Sequence, residues 1–125
     1  MIDELKQYGL VYLASPYTRF PRGPEVAFRE ICAIAADLIR LCVKVYSPIV
    51  HTHPIAVHGH LPTMDHEFWI AFDRAMIAKS DALLIAQMES WDQSFGIAEE
   101  RKAFTGRPIY FLDPVAMVVR PTEAQ

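Results

Sequence analysis

An α/β fold, built as one parallel sheet of four to five strands with helices on both faces, follows from three observations. Short apolar runs recur along the chain with the length and composition of strands buried on both faces. Longer segments between them repeat apolar residues at spacings of three and four, the period of a helix with one face in a core. Turn signals built on Pro, Ser, Gly and Asp separate the two kinds of segment, and strand–helix alternation of this sort implies parallel pairing.

The first strand is 10–14, a continuous apolar run that breaks at Ser15-Pro16. A polar loop then leads to Pro24 and Glu25, a proline and an acid where a helix start favours both. Ala27, Ile31, Ile34, Leu38 and Leu41 continue as one stripe over about five turns. Residues 43–49 read as the second strand, ended by Ser47-Pro48, and a proline- and histidine-rich stretch runs on to Pro62. A second helix starts near Asp65, with Phe68, Phe72, Ala75, Met76 and Lys79 in register. The third strand is 82–86; a loop over 90–94 precedes a third helix, 95–104, closed by Thr105-Gly106. The fourth strand, 108–112, stops at Asp113-Pro114, and Met117-Val118-Val119 has the makings of a short edge strand.

With 125 residues, 52% of them hydrophobic, the chain is expected to form a single domain over 1–125. A net charge of −3 argues against polymeric nucleic acid as a partner. No apolar run approaches the ~18 residues of a membrane span, and Met1-Ile2-Asp3-Glu4 lacks the basic start of a signal peptide, so a cytoplasmic protein is expected. Cys32 and Cys42 fall ten positions apart in the first helix, about 15 Å along its axis and too far for a disulfide.

Right-handed crossovers gather the strand-to-helix loops at one edge of the sheet, where ligands of such folds bind. Four segments meet there: 14–23, 47–65, 87–95 and 113–114. Ser94 is placed to cap the third helix, and Gly96 lets a ligand approach the backbone closely. Glu100 falls on the apolar stripe of that helix, and Asp73 interrupts an otherwise apolar strip between Trp69 and Ile77; a carboxyl so placed must find partners or bind its proton more tightly. Two acids in different environments beside a cleft suit glycosyl-bond chemistry, one attacking or stabilising an oxocarbenium-like carbon and the other handling a proton. Glu99 is better placed for a surface pair with Lys102, and Asp81 for a turn. Tyr17, Arg19, Phe20 and Arg22 crowd the first loop, able to stack a base and hold an anion or to pack among themselves. His51, His53, His58, His60 and His66 contain two His-x-His pairs, but no cysteine or suitably spaced acid completes a metal set, and His51 and His53 read better as substrate contacts or packing residues.

In order and spacing, Tyr12-Leu13-Ala14-Ser15-Pro16-Tyr17, Asp73 eight residues before Asp81, and Ser94-x-Gly96-x-x-x-Glu100 resemble the nucleoside 2-deoxyribosyltransferase superfamily, which includes the deoxynucleoside-monophosphate N-glycosidases. Ser47-Pro48-Ile49-Val50-His51-Thr52-His53-Pro54 and the Trp91…Ser94 loop are most similar to a branch of small bacterial proteins, the DUF1937 type. The likeness spans about residues 10–112. It implies a flavodoxin-like (Rossmann-like) sheet, no cofactor and no metal, and cleavage of the bond between a deoxyribose and its base. It further implies Glu100 as nucleophile, Asp73 assisting, and Tyr17 positioning the acid or sugar. Ser94 and the basic residues Arg19 and Arg22 would hold a phosphate; Ser15, Trp91 and Gly96, with His51 and His53 on the separate reading of the histidine segment given above, are expected to line the substrate site. A homodimer or homotetramer is implied as well. Three departures stand out: Ala98 where the transferases carry a second glycine, a longer 87–93 loop than in the monophosphate glycosidases, and the histidine segment. A nucleotide-binding module without turnover and a metal-dependent hydrolase built on the histidines are the competing expectations.

Overall fold

A computed structural model describes residues 2–121 as an α/β protein with a five-stranded sheet. The elements are α1 (Ile2–Leu5), β1 (Val11–Ala14), α2 (Pro24–Arg40), β2 (Val45–Tyr46), α3 (Pro48–Gly59), α4 (His66–Lys79), β3 (Ala82–Ala86), a 3₁₀ turn at Trp91–Gln93, α5 (Phe95–Ala103), β4 (Ile109–Asp113) and β5 (Val118–Arg120). The strand order is β2-β1-β3-β4-β5, with the first four parallel and β5 antiparallel to β4. This is the flavodoxin-like arrangement expected. The order reverses between β1 and β3, and the crevice at their carboxyl ends is where such a sheet offers a ligand site.

Alternation along the strands divides the core. Val11, Leu13, Leu84 and Leu112 pack with Ala27, Ile31 and Leu38 of α2 on one face. Tyr12, Ala14, Leu83, Ile85 and Phe111 meet Ile77 of α4 with Ile97 and Phe104 of the α5 segment on the other. Because successive side chains of a strand point to opposite faces, Tyr12 is committed to the α4/α5 side. Asp81 anchors the start of the central strands, its Oδ2 accepting from the Leu10 N–H at 3.0 Å. A Cβ at Gly9 would stand 3.0 Å from the same oxygen, so any side chain here would press on this hydrogen bond.

Three elements differ from the sequence reading. The histidine-rich stretch is not a loop: residues 48–59 form a helix. Ser47 caps it, accepting from the Val50 N–H at 3.2 Å, and Pro48 takes a first-turn position where its missing N–H costs nothing. β2 is confined to two residues, because the capped helix begins where the strand was expected to continue. α2 ends at Arg40, and Cys42 lies beyond it in the left-handed region (φ 67°); both cysteines are free thiols. No helix is long and apolar enough to cross a membrane among the described residues.

Phe104 is fully buried, with its ring centroid 5.7 Å from that of Tyr12 and the Arg107 guanidinium 4.1 Å above it. Arg107 also ties two helix ends together. It donates to the Ile77 and Ser80 carbonyls at the end of α4 (2.7 and 2.9 Å) and to the Ala103 carbonyl at the end of α5 (2.9 Å), groups a helix leaves unbonded. Removing the ring should open a cavity behind Tyr12: Phe104→Ala is expected to lose about 3–5 kcal/mol of unfolding free energy in urea titrations, with the slope of the transition unchanged.

Candidate active site

The cleft at the carboxyl end of β1 is built by three of the four loop segments picked out from the sequence and by α4. Ser15, Tyr17 and Thr18 form one wall, with Pro48, Ile49 and Thr52 of the α3 start. Thr63, Met64, Asp65 and His66 close the approach to α4, which supplies Trp69, Ile70 and Asp73. Ser94, Phe95, Gly96 and Glu100 complete the opposite wall from α5.

Glu100 is the one buried acid among the described residues, 8% exposed. Its Oε2 accepts a 2.7 Å hydrogen bond from the Tyr12 hydroxyl. Desolvation by burial pushes the Glu100 pKa up to about 8; the Tyr12 bond works against that, and the charge of Asp73 adds to it. Asp73 is raised to about 6, again by burial. Burial and then the charges of Glu100 and Asp73 drive the Tyr12 phenol far above its ordinary range, so it remains a donor. Tyr46, whose ring centroid is 5.8 Å from that of Tyr12, is pushed up to about 12 by burial and then by Asp73. Both acids thus hold their protons above the ordinary carboxylate range, Glu100 more tightly than Asp73.

Among the described residues, Ser15 Oγ, Tyr46 Oη and Asp73 Oδ1 are buried side-chain atoms that lack a hydrogen-bond partner. Two of the three belong to the cleft wall. Such atoms are rare in native proteins, and their concentration around one crevice is what a ligand-binding site requires. Gly96 adds to this: a Cβ there would meet only Ser94 Oγ, at 3.8 Å, so nothing in the protomer demands a glycine, and its bareness widens the cleft. Ser94 itself is engaged as the α5 cap, accepting from the Ile97 N–H at 3.2 Å.

Of the residues singled out in the sequence, Glu100, Asp73, Tyr17, Ser15, Ser94 and Gly96 share this cleft. Arg19, Arg22, His51, His53 and Trp91 are not in its lining. The Arg22 guanidinium pairs with Glu30 at 2.6 Å and Glu89 at 3.7 Å and lies 5.1 Å from the Phe20 ring centroid. Arg19 contributes its carbonyl to the Ser90 hydroxyl at 3.2 Å. His51 stacks on Phe72, Trp91 packs edge-on to Phe111, and His53 is buried with both ring nitrogens bonded. Glu99 forms the expected surface pair with Lys102 at 3.0 Å. No group of three or more His, Cys, Asp or Glu side chains among the described residues is arranged to hold a metal ion.

Tyr12 enters the sequence reading only as part of a motif and without a role, although a signal was present. A tyrosine inside a strand buried on both faces must bring a partner for its hydroxyl, and the only acids expected in the core were Asp73 and Glu100.

A carboxyl that binds its proton more tightly in the folded state than in the unfolded chain stabilises the fold most at low pH, and that contribution fades as pH rises toward the folded value. Stability should therefore fall between about pH 4.5 and 8 on account of Glu100. Glu100→Gln keeps an oxygen for Tyr12 and carries no charge. It is expected to be more stable than the natural protein at pH 8 by roughly 2–4 kcal/mol, with the gap closing near pH 4.5, as thermal unfolding across pH would measure.

A family model described as a domain of unknown function, DUF1937, matches residues 9–112. No curated protein matches the chain. The matched span runs from the turn before β1 to the end of β4 and takes in every residue of the cleft, and on that basis the chain belongs to the DUF1937 family.

Proposed function

We propose that the protein cleaves or transfers the N-glycosidic bond of a nucleoside or nucleoside monophosphate, with Glu100 as the nucleophile. The observation that carries this reading is that two carboxyls of raised pKa, the buried Glu100 and the part-buried Asp73, line one cleft with unpartnered polar atoms. The resemblance to the nucleoside 2-deoxyribosyltransferase superfamily points the same way.

In this mechanism Tyr12 holds Glu100 Oε2, leaving Oε1 to attack the anomeric carbon. As the carbon–oxygen bond forms, the carbon–nitrogen bond breaks, and its electron pair leaves on the base, which takes the proton held at Asp73. Water, or a second base in a transfer, then attacks the same carbon. The glycosyl–Glu100 bond breaks, the carboxylate is restored, and the attacking group's proton returns to Asp73. The nucleophile must be ionised while its neighbour is protonated; because Glu100 binds its proton more tightly than Asp73 in the free protein, attack requires that the proton first pass from Glu100 to Asp73, a shift favoured by positive charge developing at the anomeric carbon.

Incubation with a panel of 2′-deoxynucleosides and their 5′-monophosphates, with free base followed by chromatography, tests the reading. Base release is expected from at least one member, with kcat/KM forming a bell whose flanks fall near pH 6 and 8. Glu100→Ala should lower it on the order of 10³-fold or more. Tight nucleotide binding with no base released, unchanged in Glu100→Gln, would instead identify a binding module.

An oligomer belongs to the same proposal. Of the fourteen residues of α4 only Ile77 is buried, while Phe68 and Phe72, on the stripe expected to face the core, are 49% and 41% exposed. Met64 and Phe95, which line the cleft, are 48% and 54% exposed. A second copy seated on this face would bury these rings and roof the cleft. Light scattering is expected to give a dimer or tetramer, and Phe68→Asp with Phe72→Asp should shift it to a monomer that is still folded.

A further inference from the structure

His53 lies inside α3, 5% exposed, and both of its ring nitrogens are taken. Nε2 is 2.9 Å from Glu25 Oε2 in the first turn of α2, and Nδ1 is 2.5 Å from the Tyr17 hydroxyl. Phe28 stacks on the ring with centroids 4.5 Å apart. The glycosidic chemistry above uses none of these contacts, yet Tyr17 stands in the cleft wall.

A carboxylate only accepts, so Nε2 carries a ring proton; where that is the ring's one proton, the bare Nδ1 accepts from the Tyr17 hydroxyl. With its own proton committed to the imidazole, the Tyr17 oxygen has lone pairs left to offer the cleft and no donor. The wall around it is unsuited to an anion. Asp65, Asp73 and Glu100 line the cleft, and no Lys or Arg among the described residues does. Ser15 Oγ, buried and unpartnered at the end of β1, supplies a second polar atom on the same side.

We propose that Glu25, His53 and Tyr17 form a positioning relay that fixes the Tyr17 hydroxyl as the acceptor for a sugar hydroxyl, so that the cleft selects an uncharged, hydroxyl-bearing nucleoside over its phosphorylated form. The recognition half rests on the N-glycosidic reading. Tyr17 is the specificity residue, and Glu25 and His53 act through it.

The test uses calorimetric binding to Glu100→Gln protein, in which turnover is blocked. The ligands are a 2′-deoxynucleoside, its 3′-deoxy and 5′-deoxy analogues, and its 5′-monophosphate. One deoxy analogue is expected to bind about tenfold more weakly than the parent nucleoside, and the monophosphate more weakly still. Adding Tyr17→Phe should bring the parent to the level of that analogue and leave the analogue unchanged. Adding Glu25→Gln, outside the cleft, should narrow the same gap several-fold, because an amide can donate to Nε2 and reverse the ring tautomer; a merely structural acid would not alter which hydroxyl is read. Nitrogen-resolved NMR of the ligand-free protein should show a neutral His53 protonated at Nε2. A ring protonated at Nδ1, discrimination that survives Tyr17→Phe, or tighter binding of the monophosphate each overturns the relay while leaving the glycosidic reading intact. Failure of every nucleoside and nucleotide to bind overturns that reading and the recognition half together, with the NMR result still deciding the relay.

Discussion

The structure turns on a carboxyl that is kept out of water. Glu100 sits among apolar neighbours on α5 with one strong partner, the Tyr12 hydroxyl, and with Asp73 close enough to oppose its ionisation. Every larger feature of that half of the molecule serves to hold the arrangement. The pleat of β1 sends Tyr12 to the α4/α5 face, Phe104 and Ile97 pack beside it, and Arg107 fastens the ends of the two acid-bearing helices to each other. A buried acid without a full complement of donors destabilises a fold, and a chain under no functional constraint would lose little by replacing it. The same holds for Asp73 Oδ1 and Ser15 Oγ. Local rules broken together in one crevice mark a site, whereas the same faults scattered over the chain would mark a poor core.

Much of this was legible in the sequence because the physics behind it is local. Solid apolar runs became the strands, and the stripe from Ala27 to Leu38 became the buried face of α2. The placement of Glu100 on an apolar stripe foretold its burial, and Asp73 between Trp69 and Ile77 foretold a raised pKa. What escaped was α3. Its buried residues are Pro48, Thr52, His53 and Ala56, a face that reads as neither apolar nor periodic, and Pro54 inside the helix argues for a break. The helix forms because Ser47 caps it and because its polar inward groups find partners: Thr52 Oγ1 donates to the Pro48 carbonyl at 2.8 Å, and His53 meets Tyr17 and Glu25. Those partners lie 28 and 36 positions away in sequence, beyond any local pattern. The Tyr12–Glu100 bond, between residues 88 apart, was hidden for the same reason.

The phenylalanines of α4 failed as core predictors in an instructive way. Their spacing was helical, and the helix is there, but the stripe they form is not the one that meets the sheet. Ile77, with Met76 partly buried beside it, makes the contact with the core, whereas Phe68 and Phe72 remain open on the surface, Phe72 with the His51 ring stacked against it. Periodicity reports that a helix has an apolar face; it does not report which body covers that face. A second copy seated on this face, as proposed, would cover the aromatic side of α4 and stabilise the helix that bears Asp73.

Two walls of different character therefore face each other across the crevice. The α4/α5 wall carries the acids and lies against a core that holds them away from solvent. The first-loop wall carries hydroxyls, and its tyrosine is tied by an imidazole to an exposed carboxylate at the start of α2. Glu25 draws strength from this tie, its pKa lowered chiefly by the His53 hydrogen bond, so the negative charge stays at the surface rather than entering the cleft. If the buried wall does the bond-making, the opposite wall is left to set orientation, and a neutral acceptor does that without adding charge to a cleft already lined by Asp65, Asp73 and Glu100. The histidine segment, dense as it is in ionisable groups, forms no metal-binding cluster among the described residues, and His53 spends one nitrogen on the Tyr17 hydroxyl and the other on the Glu25 carboxylate.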